Sequence, residues 1–471
     1  MRNKVNSKIV TCLFWLAIWQ AAAWLTASKL LLPGPADALL ALGGLIRTKK
    51  FYMDIGWTAA RCIIAMALSF AAGIPAAALS YKSDTARSIL SLPVGFFKAV
   101  PVMAIIIYVI LLAQSDWVAV IVCFFMCFPI VYTNILEGLD AMPSEYLEVG
   151  NVYGLSRLER AKYIYAPGLL PQMKAAIGLT AGLSWKAVVA AEVLSIPKYS
   201  LGYEMINAKY YLETANLFAY IFVIVVMSMA FEKVINLGLR HIEWKGYEGS
   251  KLKRRSRSDR TAKTKKAEAP CPAVVNTLTA ENIVKTFETK SVLDDVNLIF
   301  EAGKVTAIMG PSGQGKTTLA RIISGLEKAD SGKILIGGLE AGEESRVSRT
   351  AFLFQEDRLL PWLNIYDNIA IGGGDSEGIK ELADQLEIGT ELWKLPAELS
   401  GGQRHRAALA RTFAADAPLM ILDEPFRGLD DALKDRIIDR LWERVTTGKT
   451  VILITHSAED AGTLADKILE L

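Results

Sequence analysis

Six apolar stretches crowd the first half of the chain, at 9–32, 56–80, 89–113, 117–136, 169–194 and 215–239. A bilayer core about 30 Å thick needs about 20 such residues per helix, so each stretch is long enough to cross it. Lipid offers no partner to a backbone amide, and helices are the way such segments satisfy their own. The region 1–244 therefore reads as an all-α membrane domain of six spans. Composition divides the chain in the same place: 33 of the first 240 residues are charged, against 68 of the last 231. A disordered chain, a secreted disulfide scaffold and a single soluble globule are excluded. Arg2, Lys4 and Lys8 could open a signal peptide, but the apolar run behind them is too long and five more follow, so it reads as an uncleaved anchor.

Net charge is only +3, too small to argue for nucleic acid as a partner. The charge is local instead. Lys245 to Lys266 holds ten basic and two acidic residues, and the polar stretch 245–273 reads as a flexible tether. Whether its cations rest on anionic headgroups stays open. Basic residues before the first stretch, in the loops at 81–87 and 137–167 and in the tether outnumber those in the opposite loops. That bias places both ends on the cytoplasmic side. Cys12, Cys62, Cys123, Cys127 and Cys271 follow no metal or redox spacing and read as small packing residues.

Charged groups inside apolar spans are costly and mark function by default. Lys98, Lys186 and Glu192 qualify, and one reading sets them along a translocation path that favours anionic solutes; a buried pair or a snorkelled lysine is the competing one.

From Leu278 onward, short strand patterns alternate with helical ones, an α/β arrangement over 274–471. The β-run 305–309 leads into Gly310-Pro311-Ser312-Gly313-Gln314-Gly315-Lys316-Thr317-Thr318 and then a helical pattern. This is G-x-x-x-x-G-K-[ST] in the strand–loop–helix setting that gives it meaning. Glycines let a phosphate chain approach backbone N–H groups, Lys316 reaches the β- and γ-phosphates, and Thr317 binds Mg²⁺. A second apolar strand, 419–422, delivers Asp423 and Glu424: one carboxylate for Mg²⁺, the other to polarise an attacking water.

Leu399-Ser400-Gly401-Gly402-Gln403 resembles the signature motif of ABC transporter ATPases, and that family's pattern is matched across this half. The resemblance assigns Phe287 to adenine stacking and Gln355 to coupling Mg²⁺ and water with the permease. It assigns Asp430 of Gly428-Leu429-Asp430 to the dimer-crossing loop and His456 to the γ-phosphate. His405 is expected at the surface. In the family the signature, Ser400 to Gln403, meets nucleotide held by a second copy, which implies a homodimer. The chain ends soon after His456, so no extra regulatory domain is expected.

Glu148-Val149-Gly150, Gly154, Ile164 and Pro167 resemble the cytoplasmic loop of bacterial ABC importer permeases, with Val149 and Gly150 standing where alanine is usual. The resemblance implies a type I importer-like permease with a coupling helix near 145–163, in which Glu148 and Arg157 pair with the ATPase and Gly154 allows close approach. Leu359-Leu360-Pro361-Trp362-Leu363 and Leu32-Pro33-Gly34-Pro35 look like the nitrate/taurine/aliphatic-sulfonate branch, whose members move nitrate, sulfonates, bicarbonate or thiamine-pyrimidine precursors. Expected cofactors are ATP and Mg²⁺; expected partners are a second copy, an extracytoplasmic solute-binding protein, the lipid bilayer and a small solute. An ABC exporter half-transporter and a non-transporting membrane ABC ATPase sensor are the alternatives.

Overall fold

The computed structural model describes residues 2–26, 28, 30–241, 276–287, 290–311 and 313–471, so the tether 245–273 and Ser312 lie outside the described residues. Two compact units emerge. One holds Met1–Met142 and Gly168–Glu243; the other joins Pro143–Pro167 to Trp244–Leu471.

The first unit is all helix. Lys49–Lys82, Ser115–Asp140, Leu170–Ser195 and Thr214–Leu239 are each long and apolar enough to cross a bilayer. A fifth crossing needs Asp84–Ala99 and Val102–Leu112 taken together, and these meet at 107°. Six single spans were expected, and the count is lower among the described residues. The third stretch breaks because Pro101 cannot continue a helix, and the residue before a proline is pushed to extended backbone; Val100 sits at ψ 132°. The first stretch ends as helix at Leu25, within which Leu13–Leu25 is apolar.

A charged network runs from within the apolar core of this unit toward its surface. Arg61 donates to Glu192 and to the Tyr199 carbonyl, each at 2.8 Å, and lies 3.3 Å from Asp116. Thr58 Oγ1 sits 3.0 Å from both Glu192 oxygens and accepts from the Leu201 amide, while the Gly202 amide donates to Glu192. Glu192 is fully buried, and its partner is Arg61; Lys186 and Lys98 are exposed on their helices. A buried carboxylate costs several kcal/mol unless paired, which explains why this one takes three donors.

In the second unit, the strands β1 (Leu278–Phe287), β2 (Lys290–Phe300), β4 (Ser331–Ile336) and β5 (Leu339–Glu340) form an antiparallel sheet in the order β2-β1-β4-β5. The strands β3 (Val305–Met309), β6 (Thr350–Leu353), β7 (Leu419–Asp423), β8 (Thr450–Ile454) and β9 (Lys467–Glu470) form a parallel sheet, ordered β6-β7-β8-β3-β9. All residues of β6, β7 and β8 are buried, as a sheet covered on both faces requires. Parallel strands end together, so β3, β6, β7 and β8 release their C-terminal loops along one edge. Ligands bind along that edge in open α/β sheets.

Candidate functional site

Four loops meet at that edge. β3 runs into the glycine-rich loop and the helix Lys316–Ser324; β6 runs toward Gln355; β7 ends at Asp423; β8 leads to His456. Gly315 caps the helix at φ 92°, and a Cβ there would lie 2.8 Å from the Val292 carbonyl, so the turn admits only glycine. The Lys316 ammonium donates to the carbonyls of Gly310 and Pro311 at 2.7 and 2.8 Å, which holds it across the loop. Pro311, Gly313 and Gln314 are exposed around it and Thr318 is half-buried.

Thr317 Oγ1 donates to Asp423 Oδ2 at 2.8 Å. Burial pushes the Asp423 carboxyl up to about 6, against the opposing pull of that hydroxyl. A hydroxyl and a buried carboxylate beside a phosphate cradle are the hard-oxygen set a small divalent cation takes. Glu424 follows with φ 51°, a left-handed backbone that a glutamate adopts only under constraint. Its Oε1 lies 3.2 Å from His456 Nδ1, so the residues chosen for water and γ-phosphate touch. Gln355 is exposed at the same edge, and Phe287 is exposed with the Lys285 ammonium 5.1 Å from its ring centre.

Ser400 caps the helix Gly401–Phe413 in a reciprocal box with Gln403: the Gln403 amide donates to Ser400 Oγ at 3.3 Å, and the Ser400 amide donates to Gln403 Oε1 at 2.9 Å. Gly401 is exposed and Gly402 half-buried at this N-terminus. Asp430 caps Asp431–Ile437 by accepting from the Leu433 amide. His405 departs from expectation: it is buried, 6% exposed, because Asp357 and the Pro425 carbonyl flank its ring.

The segment Pro143–Pro167 packs in this unit as the helix Ser144–Val152, the turn Arg157–Arg160 and a wide π-helical turn, Ala161–Tyr165. Glu148 is gripped by two arginines. Arg321, on the phosphate-loop helix, bonds both its oxygens at 3.0 and 2.9 Å; Arg358, three residues past Gln355, reaches it at 2.5 Å. Burial alone would raise the Glu148 carboxyl, but the hydrogen bonds and charges of Arg321 and Arg358 hold it below its ordinary value. Tyr153 Oη donates to the Phe352 carbonyl at 3.0 Å, and Trp362 Nε1 donates to the Tyr163 carbonyl at 2.7 Å. Gly154 turns the chain at φ 62°, and a Cβ on Gly150 would lie 2.7 Å from Ile164.

Arg157 stands exposed and does not join Glu148; Arg160 does the local work, bonding Asn151 and the Leu155 carbonyl. Sequence reasoning thus missed Arg321, Arg358, Tyr153 and Arg160. Arg358 carried the one available signal, its position just after Gln355.

Comparisons with known proteins meet this geometry. Residues 65–245 match the family model for the binding-protein-dependent transport system inner membrane component, and residues 293–427 match that for the ABC transporter. The chain is 38% identical to the sulfate/thiosulfate import ATP-binding protein of Agrobacterium fabrum over 205 residues, 41% of this chain and 60% of that protein. It is 38% identical to an aliphatic sulfonates import ATP-binding protein of Pseudomonas savastanoi pv. phaseolicola over 200 residues, 41% of this chain and 72% of that one. A Rhodococcus jostii protein of the same description is 42% identical over 185 residues, covering 38% and 73%. The chain belongs to the ABC transporter family, with an inner membrane transport component and an ABC ATP-binding component fused in one polypeptide.

Proposed function

We propose that this protein is an ATP-driven importer of a small solute in the cytoplasmic membrane, working as a homodimer fed by an extracytoplasmic solute-binding protein. One observation carries the reading. The phosphate loop, Gln355, Glu424 and His456 share a sheet edge, and the helix leaving that loop is ion-paired to the segment 144–152 through Arg321 and Glu148. A nucleotide site that grips a loop flanked by membrane helices is built to convert phosphate chemistry into movement of those helices. The division of labour follows: 1–244 as permease, 245–273 as tether, 274–471 as ATPase, with both ends cytoplasmic.

Adenine stacks on Phe287, the loop amides and Lys316 hold the phosphates, and Ser400 with the following amides faces the γ-phosphate held by the second copy. Glu424 accepts the proton of the attacking water, and His456 holds that carboxylate in line while meeting the γ-phosphate. Thr317, Asp423 and Gln355 would hold Mg²⁺, which when bound neutralises charge on the transferring phosphoryl group. The sulfate- and sulfonate-importing relatives favour an oxyanion, within the wider set of nitrate, sulfonates, taurine and pyrimidine precursors.

The deciding experiment is ATP-dependent uptake of labelled sulfonate, taurine, nitrate and aminopyrimidine into proteoliposomes, with the cognate binding protein added outside. Uptake of one of them that vanishes in Lys316→Ala supports the reading; solute leaving the cytoplasmic side, or ATP turnover indifferent to the binding protein, sinks it.

A further inference from the structure

Between the segment that grips Glu148 and the carboxylate that handles water lies a side chain that neither the signature motif nor the phosphate chemistry accounts for. His405 sits one turn into the helix Gly401–Phe413, buried, with each ring nitrogen facing an oxygen from a different loop. Nδ1 lies 3.1 Å from Asp357 Oδ1, and Nε2 lies 3.0 Å from the Pro425 carbonyl. Both partners are oxygen atoms, and the ring's two nitrogens face them from opposite edges.

What those two loops carry gives the ring its meaning. Asp357 is bonded through the chain to Arg358, whose guanidinium holds Glu148. Pro425 is bonded to Glu424, which is held at φ 51° and touches His456. The Asp357 side is stiffened as well: the fully buried Arg411, on the same helix as His405, donates to the carbonyls of Asp357 and Arg358 at 2.9 and 2.8 Å. Arg404 stands 3.9 Å from the other Asp357 oxygen. A continuous line of bonded groups therefore runs from Glu148 through Arg358, Asp357, His405 and Pro425 to Glu424.

We propose that His405 is a positioning residue: it fixes the backbone that presents Glu424 according to whether Glu148 is seated, so that docking of the segment 144–152 sets the rate of hydrolysis. Imidazole suits the task because it is rigid and its two nitrogens point in opposed directions. Glutamine carries both its N–H bonds on one nitrogen of a flexible side chain, so it does not hold two loops at fixed, opposed directions. This inference rests on the ATPase reading given above and adds a route by which the permease side governs it.

The test is a double-mutant cycle on the full-length chain in lipid nanodiscs, reading kcat and the ATP KM of the wild type, Glu148→Gln, His405→Gln and the double variant. Residues that act through one line lose the same thing once, whereas independent structural defects multiply. The expectation is that each single change lowers kcat by about fivefold or more, leaves KM within about twofold, and that the double variant falls no further than the worse single one. Multiplying losses, an unchanged kcat in His405→Gln, or a loss expressed in KM would each overturn the proposal. Thermal shift by ATP, retained in every variant, separates these outcomes from misfolding. Glu424→Gln runs beside them: turnover surviving there defeats the role of Glu424 given above, on which this line ends, while turnover lost there with a multiplicative cycle defeats only the role of His405.

Discussion

Glu424 is held in a backbone conformation that costs on the order of 1–3 kcal/mol, at the point where its carboxylate meets His456. Strain of that size persists only where the surroundings over-determine it, and here the Glu424 amide is bonded to the Ile454 carbonyl on the neighbouring strand. Glu424→Gln keeps the shape and removes the proposed proton acceptor. It should bind ATP with wild-type thermal shift while turnover falls by about 100-fold or more, measured as phosphate release. Glu148 yields a prediction in pH. Its carboxyl is depressed below the ordinary 4.5 by Arg321 and Arg358, so the ion pair contributes fully above that value and is lost only as pH falls through the lower, folded-state one. Coupling measured by the Glu148→Gln effect on kcat should therefore be flat from neutral pH down to about 5; a decline already near pH 6 would contradict the paired geometry.

Among the elements, the phosphate loop and the strand ending at Asp423 were readable because chemistry dictates contiguous residues there. The edge that gathers them was readable too, since parallel strands release their loops at one end. Arg61 and Glu192 could not be paired from sequence: 131 positions separate them, and only the packing of two helices brings the guanidinium to the carboxylate. His405 was misplaced for the same reason, because Asp357 and Pro425 reach it from distant loops. The broken third span escaped because hydropathy averages over a window and does not register one proline. The helix Arg2–Leu25 poses the remaining question at this scale. The proposed cytoplasmic placement of both chain ends requires an even number of crossings, and 24 residues of helix measure about 36 Å. We expect this helix to cross and the bent pair to count once. A cysteine introduced at Asn3 should then resist a membrane-impermeant thiol reagent in spheroplasts and react in inverted vesicles.

For the whole molecule, one phosphate loop and one signature per chain make complementation the sharpest measurement. Lys316→Ala spoils the first and Ser400→Arg the second, and each variant alone should be inactive. In the proposed homodimer, co-expression gives mixed pairs in which one site combines both defects and the other combines neither. ATPase activity should return to about half that of the wild-type dimer per mixed pair, in a particle of two 51.5 kDa chains. Silence of the mixed particle would place both motifs of each site within a single chain.

The grouping of Pro143–Pro167 with the C-terminal unit also bears on biosynthesis. The ribosome makes this piece first, between two helices destined for lipid, and its binding surface last. Until then Glu148 lacks its two arginines and the Tyr163 carbonyl lacks the Trp362 donor. A chain whose membrane half inserted the wrong way round would leave that surface bare, so maturation of the late half doubles as a check on insertion of the early one.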